Sequence, residues 1–345
     1  MLPILNFLNT NSPKQSLRTP AYLSPSSFLL HLRDTDLYVK RYIADPGLPW
    51  DSQTEPMAFG SAFDSFVKHA LVRHLYGEQA VQRGEPYHLE TLFASTVDPE
   101  QQAWAWETGK WAFSKYQEFG AFDALLSEMK DAKSLPKFED NLNATITLPS
   151  GTQIPLHGYP DGWYRNAEDQ LIILDWKCNG YKAKSNISPR KHYILQRPKL
   201  TPYKTATVKE FNGITINEGI CFSEVSPEWA TQILLYSWML GEPVGHSPVV
   251  AQIDQILLKP SKTEQEILTP GCRIVTYRSL ILEEFQQKVI SQLEDVWKAV
   301  QRGSIYLNMD EEEAHQRVQQ MAKLTQMQLE HNPILAIVRQ LRGKS

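Results

Sequence analysis

Apolar positions along the chain change their spacing near residue 136. Before that point the spacing is helical. Ser24 and Pro25 form an N-cap and first-turn pair, and Phe28, Leu29, Leu32, Tyr38 and Tyr42 follow among polar residues. Residues 45–56 hold three prolines and predict a loop. A second helix is predicted over Met57–Tyr76, apolar at Phe59, Phe63, Phe66, Val67 and Leu71, and a third over 99–130, rich in Trp and Phe. Pro136 marks a break. Leu142, Ala144, Ile146 and Leu148 then alternate within Asn141–Leu148 as in a strand. After the turn Pro149-Ser150-Gly151 come a second strand, Ile154–Tyr164, a polar turn at Asn166–Asp169 and a third strand, Leu171–Lys177. Further on the pattern predicts a helix over Pro227–Leu240 and strands over Val249–Leu258 and Arg273–Tyr277. An amphipathic helix over Leu280–Val300 and a last helix from about Asp310 to Glu330 complete the set. The fold class is α/β (α+β), with a helical N-terminal part and no internal repeat. Residues 1–20, with Asn, Ser, Pro and Lys, read as a flexible arm.

The 345 residues suffice for one large domain or two ordinary ones. With 42% hydrophobic and 21% charged residues the chain is not wholly disordered. Cys178, Cys221 and Cys272 are odd in number and far apart. That excludes a closed disulfide framework and a zinc ribbon, and fits a reducing compartment such as the cytoplasm. No apolar run approaches 18 residues, and Met1–Leu8 lacks a basic flank, so neither a transmembrane helix nor a signal peptide is expected.

The net charge of -4 weakly disfavours a nucleic-acid partner, but it hides an asymmetry. Trp176–Lys209 contains seven lysines, two arginines and no acidic residue. A polyanion responds to potential within about 8–10 Å, so the local charge matters more than the total. The segment is either a solvated loop or a phosphate-binding surface. Tyr181, Tyr193 and Tyr203, interleaved with the charges, suit base stacking.

Chemistry concentrates in Gly158-Tyr-Pro-Asp161 and Leu171-Ile-Ile-Leu-Asp175-Trp-Lys177. Period-two alternation puts Asp175 and Lys177 on one face, with Cys178 on the other, in the core. The hairpin register places Asp161 opposite or nearly opposite Asp175. Two carboxylates so close on an apolar strand repel each other unless a proton or cation lies between them. An acidic pair beside a lysine suits a hard divalent cation such as Mg²⁺ or Mn²⁺. The plainer alternative is an Asp175–Lys177 salt bridge at a strand end, with Asp161 merely starting a Pro-Asp-Gly turn.

Gly-x-x-Asp, a short hairpin and Asp-x-Lys on an apolar strand resemble the PD-(D/E)XK nuclease superfamily. The RecB-like exonuclease branch is resembled in three further features: Gln232-Ile-Leu-Leu-Tyr236 on a helix, Gly60-Ser-Ala-Phe-Asp64 with Asp in place of the usual His, and Ser24-Pro-Ser26 leading to Arg41-Tyr42. The resemblance covers roughly residues 21–305 and implies a restriction-endonuclease-like core. In that core a central mixed sheet is flanked by helices, with N-terminal and C-terminal helical additions. It divides the chain into a helical part (21–135), a catalytic sheet with helices (136–305), a basic insertion (178–212) and a C-terminal helical extension (306–345).

The resemblance also implies function. Asp161, Asp175 and Lys177 would be catalytic, with Gln232 and Tyr236 beside them. Asp64, Asp161, Asp175 and the carbonyl of Trp176 would hold Mg²⁺ or Mn²⁺. Asp64 instead pairs with Lys68, four residues on, if it is only structural. Many relatives carry an iron–sulfur cluster on four cysteines. Here Asp34-Thr-Asp36 occupies that neighbourhood, and no cluster is expected. Lys182, Lys184, Arg190, Lys191, Arg197 and Lys199 would bind DNA, single- or double-stranded. The implied activity is phosphodiester hydrolysis in DNA repair, recombination or phage DNA metabolism. Two alternatives remain: a catalytically inactive nucleic-acid-binding protein of the same fold, and a hydrolase using Asp161 and Asp175 as an acid–base pair.

Overall fold

The computed structural model of the chain describes residues 16–45, 47–180, 203–206, 227–246, 249–258, 272–306 and 309–330. Two short strands, β1 (Ser16–Leu17) and β2 (Ala44–Asp45), pair antiparallel. Between them lies α1 (Pro25–Arg33), closed by a reciprocal cap: Ser27 N–H donates to Ser24 Oγ at 3.1 Å, and Ser24 N–H to Ser27 Oγ at 2.8 Å. The helical spacing continues to Tyr42, but the helix does not. Asp34 starts α2 (Thr35–Tyr38), accepting from Leu37 N–H at 2.9 Å, and Val39–Ile43 widens into a π-type turn.

Then comes α3 (Glu55–Tyr76), ended by Gly77, and a short α4 (Leu89–Thr96). The helix predicted over 99–130 is two, α5 (Gln102–Glu118) and α6 (Ala121–Lys130). Gly120 separates them at φ +78°, a left-handed conformation that costs glycine nothing.

The strands are β3 (Lys137–Phe138), β4 (Leu142–Thr147), β5 (Gln153–Gly158), β6 (Gly162–Arg165), β7 (Leu171–Gly180), β8 (Tyr203–Ala206), β9 (Val249–Leu258) and β10 (Cys272–Ile281). The single strand predicted over Ile154–Tyr164 breaks at Tyr159-Pro160-Asp161, where Pro160 has no N–H to give a ladder. Its halves join different sheets: β5 pairs with β4, and β6 with β3 and β7. Strand β8 lies inside the basic segment, where the sequence shows no periodicity. The remaining helices are α7 (Pro227–Met239), α8 (Glu283–Arg302) and α9 (Glu311–Glu330). None of the described helices is long and apolar enough to cross a membrane.

The chain forms two compact units. One comprises residues up to Asp51, Leu142–Gly158 and Gln286 onward. It holds α1, α2, the β4–β5 hairpin, nearly all of α8, and α9. Within it His31 Nε2 lies 2.8 Å from the Ile305 carbonyl, and Asp36 accepts from Tyr306 OH at 3.0 Å and Arg317 at 2.7 Å.

The other unit, Ser52–Asn141 with Tyr159–Phe285, holds a six-stranded sheet in the order β3-β6-β7-β9-β10-β8. It is a mixed sheet: β7–β9 and β10–β8 are parallel, and the other pairs antiparallel. Helices α3, α5 and α6 cover one face. Phe59, Phe63, Val67 and Leu71 of α3 meet Tyr116, Phe122 and Leu125 over Ile172, Leu174 and Trp176. Each such side chain contributes about 1.5–3 kcal/mol by leaving water. Cys178 joins this core, on the face opposite Asp175 and Lys177 as alternation requires. The other face of β7, carrying Asp175 and Lys177, meets α7.

Candidate active site

The hairpin register sets the centre of the site. Gly162 pairs with Leu174, so Asp161, one residue earlier, faces Asp175 across the strand ends. The Tyr159-Pro160 break leaves Asp161 just outside β6, and its Oδ2 accepts from the backbone N–H of Trp176 at 3.0 Å. Asp175 is buried in the middle of β7. Burial, opposed by Lys177 and reinforced by Asp161, pushes its carboxyl up to about 7.

On the α7 side, Lys177 Nζ lies 2.5 Å from Asp175 Oδ2 and donates to Gln232 Oε1 at 3.2 Å. Burial disfavours this ammonium, but Asp175 and Asp161 outweigh burial and hold the lysine pKa above its ordinary value. Gln232 and Tyr236 lie one turn apart on α7 and serve two different points of the site. Tyr236 OH donates to the Tyr159 carbonyl at 3.0 Å, fixing the backbone two residues before Asp161. Burial raises the phenol pKa well above its usual value, so Tyr236 stays a donor at neutral pH.

On the α3 side stands a second group. Lys68 has a fully buried side chain, and its Nζ lies 2.6 Å from Asp64 Oδ2. It also contacts Glu139 Oε1, and lies 3.8 Å from Asp161 Oδ1. Burial works against the Lys68 charge, yet Asp64, Asp161 and Glu139 together hold its pKa above the ordinary value. For Asp64 burial wins over Lys68 and, with Asp161 and Glu139, pushes the carboxyl up to about 8. Its second oxygen, Oδ1, is buried and has no hydrogen-bond partner among the described residues.

Glu139 carries no signal in the sequence. It follows β3 directly and reaches Lys68 through a left-handed backbone, φ +48°. That conformation costs a non-glycine residue about 1–2 kcal/mol. Side chains from outside the strand hold this segment: Tyr87 OH donates to the Phe138 carbonyl at 2.5 Å, and Tyr76 OH to the Pro136 carbonyl.

The residues singled out in the sequence therefore divide around Asp161. Asp175, Lys177, Gln232 and Tyr236 come together beside it. Asp64 is linked to it through Lys68, and the pairing expected of a merely structural Asp64 is present, but buried rather than at the surface. Trp176 contributes its N–H, while its indole lies in the core. Lys182, Lys184, Arg190, Lys191, Arg197 and Lys199 lie outside the described residues.

Among the described residues no three His, Cys, Asp or Glu side chains surround one point as in a formed metal site. The carboxylates are turned to ammonium groups instead. The donor chemistry nevertheless fits a hard cation. All candidate ligands are oxygens, one buried carboxylate oxygen of Asp64 has no hydrogen-bond partner among the described residues, and the four carboxylates, once all are ionised, exceed the two ammonium groups by two charges.

No family model and no curated protein matches the chain. Among solved structures, the crystal structure of SSO0001 is similar over 78% of this chain and 82% of that one, at 10% identity and a TM-score of 0.25. A likeness that slight carries no argument about fold or function.

Proposed function

We propose that the chain is a metal-dependent deoxyribonuclease hydrolysing phosphodiester bonds, of the PD-(D/E)XK type and RecB-like in its arrangement, acting in DNA repair, recombination or phage DNA metabolism. The observation that carries this reading is the Asp161–Asp175 pair with Lys177 clasped between Asp175 and Gln232. The mixed sheet with helices on both faces supports a restriction-endonuclease-like core. Asp161, Asp175, the Trp176 carbonyl and Asp64 Oδ1 are the oxygens that would hold the ion. An Mg²⁺ or Mn²⁺ ion held there would supply a lowered pKa for a water and positive charge against the phosphate.

The protein's own groups have separate tasks. Gln232 prevents Lys177 from swinging away, so the ammonium stays beside Asp175, where charge develops on the phosphate oxygens. Tyr236 keeps the Tyr159–Asp161 segment in place. Lys182, Lys184, Arg190, Lys191, Arg197 and Lys199 supply charge for the DNA backbone. A non-cleaving DNA-binding protein of the same fold is the second reading, favoured by the capture of Asp64 by Lys68.

The test is incubation with linear, nicked and closed-circular DNA in Mg²⁺, Mn²⁺ or EDTA. Cleavage with either metal, lost in EDTA, is expected. DNA binding without cleavage selects the second reading, and cleavage that persists in EDTA refutes the metal assignment.

A further inference from the structure

Lys68 is the group that the nuclease reading leaves without a task. It sits on α3, one turn after Asp64, and its side chain is entirely buried. Transferring an ammonium from water into a protein interior is costly unless carboxylates surround it. Here Asp64 Oδ2 lies at 2.6 Å, Glu139 Oε1 is in contact, and Asp161 Oδ1 lies at 3.8 Å. Glu139 adopts a left-handed backbone in making its contact. Two carboxylates from separate elements, plus one oxygen of a third, thus converge on one positive charge.

Asp161 makes the arrangement informative. Its Oδ1 faces Lys68 and its Oδ2 takes the Trp176 N–H, with Asp175 across the ladder. One carboxylate shared between two cation positions is how a two-metal site is built, with the ions about 3.5–4 Å apart. The charge count points the same way. With all four ionised, as metal binding requires, Asp64, Glu139, Asp161 and Asp175 exceed Lys68 and Lys177 by two negative charges, which one divalent ion cancels and two would reverse.

We propose that the Lys68 ammonium stands in for a second divalent cation, so that the chain takes one metal ion, held beside Asp161 and Asp175. The inference rests on the metal-site reading and adds its stoichiometry and the role of α3. Lys68 is a positioning residue: it pairs with Asp64 and Glu139, offsetting one of their two charges, and lies beside one oxygen of Asp161.

The test is Mn²⁺ binding to the full chain without DNA, read by calorimetry and by the electron paramagnetic resonance of free Mn²⁺. One ion per chain is expected for the wild type. Lys68→Ala is expected to take two ions per chain, with the second bound more weakly, and its melting temperature is expected to rise with Mn²⁺ more than that of the wild type. Lys68→Arg keeps the charge and is expected to take one. Two ions in the wild type overturn this proposal and leave the nuclease reading standing. No Mn²⁺ binding in the wild type removes the metal-site reading, and this inference with it. One ion in Lys68→Ala, with an unchanged melting response, shows that Lys68 is only a structural partner of Asp64. If Lys68→Ala does not fold without metal, the wild-type stoichiometry still decides between one ion and two.

Discussion

Replacing Asp175 by Asn is expected to stabilise the metal-free protein, although it removes an ion pair. The carboxyl lies in the buried centre of β7, and its pKa is pushed from 3.8 to about 7, even with Lys177 2.5 Å away. The folded value lies above the unfolded one. The associated stability is therefore fully present below about pH 4 and is lost as pH rises through 7. A shift of that size corresponds to a cost on the order of 4 kcal/mol for holding the ionised group in the fold at pH 8. Asn keeps the shape without the charge. Lys177 retains the Gln232 oxygen at 3.2 Å, so it is not stranded. In a domain of this size 1 kcal/mol moves a melting temperature by about 2–4 °C, so the variant is expected to melt about 8–16 °C higher at pH 8 in EDTA. The advantage disappears below about pH 4. Millimolar Mn²⁺ narrows the difference, because only the wild type gains metal stabilisation; saturation at 100 times Kd is worth about 2.7 kcal/mol. Melting by circular dichroism across pH, with and without Mn²⁺, reads all of this. A variant that melts lower than the wild type at pH 8 in EDTA, with its secondary structure intact, would mean that Asp175 is a stabilising ion-pair partner.

Lys177→Met is expected to lower single-turnover cleavage at saturating DNA by roughly 10²-fold with little change in DNA affinity. A loss confined to affinity would make Lys177 one phosphate contact among many. Mn²⁺ binding is expected to release protons and to tighten between pH 6 and 8. The carboxyls of Asp175 and Asp64, held up at about 7 and about 8, must ionise to accept the ion. Calorimetry in buffers of different ionisation enthalpy counts those protons, and a count of zero at pH 6 contradicts the raised values. Gly109→Ala is expected to cost about 1–3 kcal/mol in denaturant unfolding, since the added methyl would lie 2.7 Å from the Ala62 side chain where α5 crosses α3. A variant as stable as the wild type would mean that this helix pair can part without penalty.

What the sequence determined by itself was whatever depends on local spacing. Alternation placed Asp175 and Lys177 on one face of a strand and Cys178 on the other. A polar turn between two apolar runs determined the register that brings Asp161 opposite Asp175. Four-residue spacing put Gln232 and Tyr236 on one side of a helix. These are consequences of backbone period, which a few neighbouring residues specify. Asp64 was legible as a charged group four residues from Lys68, but whether that pair is solvated or buried depends on what packs over it.

Tertiary structure alone decided the rest. Glu139 reaches Lys68 through an unusual backbone, 71 residues along the chain. The break at Tyr159-Pro160-Asp161 sends β5 and β6 to different sheets, because each half finds its hydrogen bonds on a different partner. Strand β8, without periodicity of its own, exists as a parallel partner of β10. The raised pKa values of Asp64 and Asp175 come first from burial, which depends on what the rest of the fold packs around them. Burial and long-range pairing are properties of the assembled chain, and no local pattern of residues encodes them.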